Sequence, residues 1–99
     1  MHFLIIAHDG TDERALDRRL AARGEHLESI TRLKAEGKAL YGTALIGDDA
    51  QMKGSVLIMN FETREELDRY MADEPYVKGK VWQQVEVRLC RVPELFLGG

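Results

Sequence analysis

Residues 2–8 of this 99-residue chain read HFLIIAH, and they decide the fold because a strand formed by them would be apolar on both faces. Residues 56–59, VLIM, repeat this pattern inside a strand predicted at 54–61. Two further strands are predicted at 38–45 and at about 81–92, and the last one alternates between apolar and polar residues. Because strands that are apolar on both faces belong in the interior of a sheet, the first and third strands should lie at the centre of a four-stranded sheet.

A long helix is predicted between the first two strands. Its apolar residues recur at spacings of three, four and seven: Leu16, Leu20, Leu27, Ile30 and Leu33. Gly37 marks the predicted end of this helix. Gly24 lies inside the pattern, and a break or kink is predicted near residues 23–25 because glycine costs about 1 kcal/mol relative to alanine in a helix interior.

A second helix is predicted between the third and fourth strands. Thr63 and Glu66 have the spacing of a capping box, and Pro75 ends the helix because the residue before a proline is pushed out of the helical region. The resulting order, β-α-β-β-α-β, is that of a ferredoxin-like α+β fold. We expect residues 1–99 to form a single domain.

Two helices can cover only one face of a four-stranded sheet. Either Leu4, Ile6, Leu57 and Met59 or the opposite set of central residues would then be exposed over several hundred Å², which is more than a monomer usually leaves bare. A second subunit that packs sheet to sheet about a two-fold axis would cover this face. The strand patterns therefore predict a homodimer.

Composition excludes several classes of protein. A formal net charge of −3 with mixed signs provides no basic surface, so nucleic acid is not an expected partner. No segment is long enough to span a membrane, and the apolar run after Met1 lacks the basic region and cleavage site of a signal peptide. Cys90 is the only cysteine, which predicts a small buried residue and a cytoplasmic location. His2 and His8 share a strand face without a third ligand, so no metal site is expected.

Three polar residues of the first helix have the chemistry of a site. On a helical wheel Arg23 falls within the apolar stripe, and Arg19 and His26 lie together at the edge of that stripe. A guanidinium group in an apolar stripe is costly unless it is paired or faces a polar cavity. Arg23 therefore either contributes to a site or turns to solvent where Gly24 interrupts the helix.

A second polar cluster, DEPYV at residues 73–77, precedes the last strand. Asp73 and Glu74 are either a plain polar helix end or the acidic part of the same site. Carboxylates at a helix C-terminus are mildly unfavourable against the helix dipole, which makes the plain explanation less satisfactory. An imidazole near both guanidinium groups and a carboxylate is suited to moving protons or binding an anion.

Several short segments, taken together, resemble the YciI-like (YCII-related) family. Residues 19–27, RLAARGEHL, are similar to the family's arginines followed by His-Leu, and residues 73–77 are similar to its Asp-Pro-Tyr element. Residues 36–40, the pair Tyr41-Gly42 and the pair Gly54-Ser55 follow in the expected order. The resemblance extends over essentially the whole chain.

This resemblance implies a dimeric α+β barrel of ferredoxin-like subunits, with a cleft that holds a histidine and an acidic residue. The superfamily includes muconolactone isomerase and a dehydrochlorinase that acts on chlorinated hydroxyquinols. The chain departs from the family in two places. Glu74 precedes Pro75 where the family favours aspartate, so either Asp73 or Glu74 could supply the acid, and Thr43 follows Gly42 where a Gly-Pro pair is common.

We therefore expect a cofactor-independent lyase or isomerase that acts on a small anionic or phenolic ring compound. His26 would act as general base or acid and would be oriented by Asp73 or Glu74. Arg19 and Arg23 would hold a carboxylate or enolate oxygen.

Three further residues are candidates for substrate binding: Ser55, Tyr76 and Trp82. The two aromatic side chains would supply a flat apolar wall. The alternative is a non-catalytic module that binds a small molecule or a partner protein through the same side chains, since a binding pocket and an active site use the same groups.

Overall fold

A computed structural model describes residues 1–98 of the chain. The elements follow in the order β1 (His2–Asp9), α1 (Ala15–Ala35), β2 (Ala39–Ile46), β3 (Met52–Asn60), α2 (Arg64–Asp73), α3 (Pro75–Lys78), β4 (Trp82–Cys90) and a short 3₁₀ helix (Glu94–Phe96). The ferredoxin-like α+β fold is therefore confirmed, and the strand bounds lie within two residues of those predicted. The one-turn helix α3 was not predicted. None of the helices in residues 1–98 has the length and apolar content needed to cross a membrane.

The four strands form one antiparallel sheet in the order β2-β3-β1-β4. The first and third strands are central, as their apolar sequences predicted. Ile5 lies opposite Leu57 of β3 and opposite Val87 of β4. Because residues directly opposite each other share a face, these three side chains point to the same side of the sheet.

The register corrects the predicted composition of the two faces. Leu57 and Met59 are buried and share their face with Phe3 and Ile5, not with Leu4 and Ile6. The opposite face carries four partly exposed apolar residues: Leu4, Ile6, Val56 and Ile58. The earlier grouping was wrong because the pairing of β1 with β3 cannot be read from either strand alone, and a shift of one residue exchanges the faces.

Helix α1 runs without interruption from Ala15 to Ala35, so the predicted break near residues 23–25 is wrong. A Cβ atom added at Gly24 would meet nothing within 4 Å, and the position is exposed. Glycine there lowers helix propensity without distorting the backbone, because the remaining hydrogen bonds of a long packed helix outweigh a single unfavourable residue.

The face of α1 that packs inward also differs from the predicted stripe. Leu20 and Leu27 are 54% and 44% exposed, whereas Arg19 and His26 are buried. The inward face follows helical spacings of three and four through Arg19, Ala22, His26, Ile30 and Leu33. Arg19 and His26 thus face the core in place of Leu20 and Leu27, which the apolar periodicity had placed there. Both polar side chains have buried partners, as described below.

The junction between α2 and α3 fixes the second half of the site. The Thr63 hydroxyl accepts a hydrogen bond from the Glu66 backbone N–H at 3.1 Å, so the predicted N-cap is confirmed. Helix α2 ends at Asp73, and Glu74 adopts an extended conformation before Pro75 begins α3. Pro75 therefore both ends one helix and opens the next, since proline is favoured at the first helical position.

Candidate functional site

The centre of the site is a buried contact between α1 and the α2–α3 junction. The Nδ1 atom of His26 lies 2.5 Å from Oε1 of Glu74, and their side chains are 8% and 0% exposed. Sequence reasoning left the acid open between Asp73 and Glu74. The Asp73 side chain is 85% exposed, and its carboxylate lies 3.8 Å from the ammonium group of Lys78. Of these two acidic residues, only Glu74 contacts the histidine.

Glu74 is held by more than the histidine. Its Oε1 atom accepts a hydrogen bond of 3.2 Å from the Tyr76 backbone N–H, as an N-cap of α3, and its Oε2 atom accepts one of 2.5 Å from the Tyr70 hydroxyl. Burial raises the pKa of the Tyr70 hydroxyl well above its usual value, and the Glu74 carboxylate reinforces this shift. Tyr70 was not among the site residues expected from the sequence, although its spacing of one helical turn from Glu74 permits the contact.

Aromatic rings surround the imidazole. The Tyr76 ring stacks on His26 with a centroid distance of 4.0 Å and an interplanar angle of 14°, and the Trp82 ring meets His26 edge-on at 6.1 Å. Burial raises the pKa of Tyr76, against the opposing effect of the Arg19 and Arg23 guanidinium groups. Tyr76 is therefore a neutral packing surface, and the rings restrict the orientation of the imidazole.

A second buried cluster is built around Arg19. Its Nη1 atom donates to both carboxylate oxygens of Asp9, at 2.9 and 3.0 Å, and its Nη2 atom donates to the Ser55 hydroxyl oxygen at 2.8 Å. Its Cζ atom lies 4.7 Å from the centroid of the Tyr76 ring, which therefore contacts both Arg19 and His26. Sequence reasoning missed Asp9, which extends the buried alternation of Phe3, Ile5 and Ala7 by one step.

The Ser55 hydroxyl joins this cluster to Trp82. Its oxygen accepts one hydrogen bond from Arg19 and another, at 3.2 Å, from the indole N–H of Trp82. A serine oxygen has two lone pairs and one hydrogen. Both lone pairs are used, and no hydrogen bond donated by this hydroxyl is found within residues 1–98. The hydroxyl hydrogen of Ser55 is therefore available for a hydrogen bond to an additional group.

These residues line one side of a cavity of about 280 Å³ between α1 and strands β2 and β3. Its polar wall contains Arg19, Arg23, His26, Ser55 and Tyr76, and its apolar wall includes Leu27, Ile30, Met52 and Leu57. Arg23 is exposed at this cavity, and it makes no hydrogen bond or ion pair within the described part of the chain. Trp82 is not a wall of the cavity; it supports Ser55 from behind.

A larger cavity, of about 650 Å³, lies on the other side of Asp9, between the β1–α1 loop and the start of β3. Most of the residues that line it are polar or charged, and they include neither His26 nor Ser55. Arg18 hydrogen-bonds to Asp12 in this loop and holds the pKa of that carboxyl well below its usual range. Residues 1–98 contain no group of three or more His, Cys, Asp or Glu side chains suited to hold a metal ion.

Comparisons with known proteins agree with this architecture. Residues 1–91 match the sequence model of the YCII-related domain, which confirms the resemblance seen in the sequence. An uncharacterised protein of Haemophilus influenzae is 32% identical over 94 residues, and Protein YciI of Escherichia coli is 31% identical over 94 residues; in each case the match covers 89% of this chain and 94% of the relative.

Among solved structures, the chain is similar to 5-chloro-2-hydroxyhydroquinone dehydrochlorinase from Burkholderia phenoliruptrix AC1100, solved in complex with 2,5-dihydroxybenzoquinone. The TM-score is 0.82 at 28% identity, and the match covers 96% of this chain and 98% of that one. A hypothetical protein from Pyrococcus horikoshii, with a TM-score of 0.50 at 12% identity, shares the fold alone.

Proposed function

We propose that this chain, which belongs to the YCII-related family, is a cofactor-independent lyase or isomerase that acts on a small anionic or phenolic ring compound. His26 is the general base, Glu74 orients it, and Ser55 with Arg19 stabilises the negative charge that develops on a substrate oxygen. The similarity to a dehydrochlorinase over nearly the whole of both chains supports the lyase reaction in particular.

The observation that carries the proposal is the contact between His26 and Glu74. Glu74 accepts hydrogen bonds from a backbone N–H and from a hydroxyl, as an ionised carboxylate does, so the imidazole donates its Nδ1–H to the same group. In the neutral imidazole the other ring nitrogen, Nε2, then has a free lone pair, and His26 lines the cavity. An imidazole fixed in this tautomer is suited to take a proton from a bound molecule near neutral pH.

The charge that follows proton removal has a binding site in the same cavity. The Ser55 hydroxyl is a donor, because both of its lone pairs are occupied, and the Arg19 guanidinium group lies beside it. A hydrogen-bond donor that is already in position needs no reorganisation when the oxygen becomes charged. Asp9 holds Arg19 in this position, and Arg23, which has no partner within residues 1–98, is free to contact an anionic substituent.

The proposed reaction begins when Nε2 of His26 takes a proton from the ring compound. The electron pair left behind moves into the ring, and the oxygen facing Ser55 carries the negative charge. In a lyase reaction the carbonyl group at this oxygen then reforms, and its electron pair makes a new double bond to the carbon that bears the leaving group. Chloride departs from that carbon, which is tetrahedral in the keto tautomer, with the electrons of its bond, and the proton on His26 is released to water. In an isomerase reaction the proton returns from His26 to a different atom of the same molecule.

We also propose that the chain functions as a homodimer in the cytoplasm. The apolar residues Leu4, Ile6, Val56 and Ile58 share the sheet face opposite the buried core and remain partly exposed. Packing against the same face of a second copy would remove this surface from water. In a dimer with a two-fold axis, the same apolar residues of each subunit form the interface.

The decisive experiment combines binding with turnover. Calorimetric titration with 2,5-dihydroxybenzoquinone should detect binding, and incubation with 5-chloro-2-hydroxyhydroquinone should release chloride at a rate that depends on His26. Binding without turnover across chlorinated and unsaturated ring compounds would favour a non-catalytic small-molecule-binding module. If none of these ring compounds binds, the proposed substrate class is refuted.

A further inference from the structure

The second oxygen of Glu74 is held by a residue that the reaction above does not use. Oε1 faces His26 and the Tyr76 backbone, whereas Oε2 accepts a hydrogen bond only from the Tyr70 hydroxyl among residues 1–98. The Glu74 side chain is 0% exposed, so bulk water does not reach this oxygen as a substitute donor. Within the described residues 1–98, the Tyr70 hydroxyl is thus the sole hydrogen-bond donor to Oε2 of Glu74.

Tyr70 is itself held in place by the core. Its ring contacts the buried Phe61 ring at a centroid distance of 5.7 Å, and the side chain packs against the hydrophobic core while remaining partly exposed. It lies one turn before Glu74 along α2 and its junction. Because its hydroxyl resists ionisation in this environment, it remains a donor over the pH range in which an imidazole works.

This contact has a specific consequence for a glutamate. A glutamate side chain has one more rotatable bond than an aspartate, and Pro75 constrains the backbone of the junction without constraining that bond. Donors at both oxygens fix the plane of the carboxylate, with Oε1 directed at Nδ1 of His26. Without Tyr70 only Oε1 would be held, so the plane of the carboxylate would be less restricted, and its charge would no longer be shared with a hydroxyl.

We infer that Tyr70 is a positioning residue of the site: it fixes the Glu74 carboxylate so that His26 keeps its hydrogen on Nδ1 and presents Nε2 to the cavity. The effect of Tyr70 on catalysis rests on the proposed function. The effect of Tyr70 on the His26 imidazole can be tested without any substrate, so the positioning role and the proposed function can be refuted separately.

The substrate-free test is nitrogen-15 NMR of the His26 imidazole in the wild type, Tyr70→Phe and Tyr41→Phe. Tyr41 is 61% exposed on β2 and provides a matched loss of one hydroxyl. We expect one tautomer, with hydrogen on Nδ1, in the wild type and in Tyr41→Phe. In Tyr70→Phe the Nε2 resonance should move away from that of an unprotonated nitrogen as the second tautomer becomes populated. Identical His26 spectra in all three proteins would overturn the inference.

Turnover supplies the second readout. With chloride release from 5-chloro-2-hydroxyhydroquinone as the assay, Tyr70→Phe should lower kcat about five- to tenfold with little change in KM, within the range of couplings between contacting residues. It should have no further effect in a Glu74→Gln background, because Tyr70 acts through that carboxylate. Equal losses in both backgrounds would overturn the inference while leaving the proposed reaction intact.

Folding can be separated from positioning. If Tyr70→Phe does not fold, 3,5-difluorotyrosine at position 70 keeps the ring and the hydroxyl but makes the hydroxyl a stronger donor. The His26 resonances should then move in the direction of a more complete Nδ1–H tautomer. Resonances that do not move would overturn the inference as well.

Discussion

Nδ1 of His26 and Oε1 of Glu74 lie 2.5 Å apart although 48 residues separate them in the chain. The contact joins the middle of α1 to the junction of α2 and α3, and both side chains are buried. An inward position of a long helix is thus occupied by an imidazole rather than by an aliphatic side chain. Burying polar groups is favourable only when they are paired, so the site and the core depend on the same contact.

His26→Gln should lower the rate of the proposed reaction about 10²- to 10⁴-fold, because it removes the general base while keeping a donor for Glu74. The measurement is chloride release from 5-chloro-2-hydroxyhydroquinone. His8→Gln is the matched control, since His8 is exposed and does not line the cavity of His26. Equal rates in the two variants would rule out His26 as the base.

Glu74→Gln and Asp73→Asn test which acid belongs to the site. Each replaces a carboxylate by an amide at adjacent positions, but only Glu74 contacts the imidazole, whereas the Asp73 side chain is 85% exposed. We expect Glu74→Gln to reduce turnover at least tenfold and Asp73→Asn to leave it unchanged. The reverse order of effects would contradict the assignment.

Arg23→Ala should weaken binding of an anionic ring by about two- to fivefold, the range of an exposed charge pair. The affinity for 2,5-dihydroxybenzoquinone should fall, and the loss should shrink as salt is added, because the interaction is screened. Binding of the uncharged 2,5-dimethoxy analogue should not change. Arg69→Ala, an exposed arginine of α2 outside the cavity, serves as the control, and an equal loss in it would indicate a nonspecific charge effect.

Asp9→Asn should lower the free energy of unfolding by about 3–5 kcal/mol, as expected when one member of a buried ion pair loses its charge. The Arg19 and Asp9 side chains are only 4% and 3% exposed, so water cannot compensate. Urea denaturation of the wild type and the variant provides the measurement. Asp68→Asn disrupts an exposed pair with Arg64 and should cost no more than about 1 kcal/mol. Similar losses of unfolding free energy in both variants would show that burial of the Arg19–Asp9 pair contributes nothing to its effect on stability.

Ile6→Lys should convert the proposed dimer into a monomer, because Ile6 belongs to the apolar sheet face opposite the core. Sedimentation velocity at low micromolar concentration measures the change, with circular dichroism to confirm folding. Leu20→Lys places the same charge on the exposed face of α1 and should leave the dimer intact. Dissociation by Leu20→Lys alone would locate the interface on α1, and a monomeric wild type would refute the dimer.

The sequence by itself determined the order of the four strands and the two longer helices, and it determined which strands are central. Consecutive apolar residues in β1 and β3 require cover on both faces, the Thr63 hydroxyl caps α2, and Pro75 ends it; each of these effects acts over a few residues. His26 and Arg19 were candidates because they lie together at the edge of the apolar stripe, whereas Arg23, which the pattern placed inside the stripe, is exposed. The local sequence indicates that a buried polar side chain needs a hydrogen-bond partner, but it does not identify that partner.

Only the tertiary structure decided which partners these are. Arg19 pairs with Asp9 and Ser55, and His26 with Glu74 rather than Asp73, through contacts that span 10, 36 and 48 residues. In the packed structure the rotation of α1 turns Arg19 and His26 inward and leaves Leu20 and Leu27 exposed, against the prediction from periodicity. Helical periodicity gives the relative angles of residues on one helix, but the face that turns inward is set by the lowest free energy of the whole packed arrangement. Here that face carries Arg19 and His26, whose burial requires the partners that only the tertiary structure brings to them.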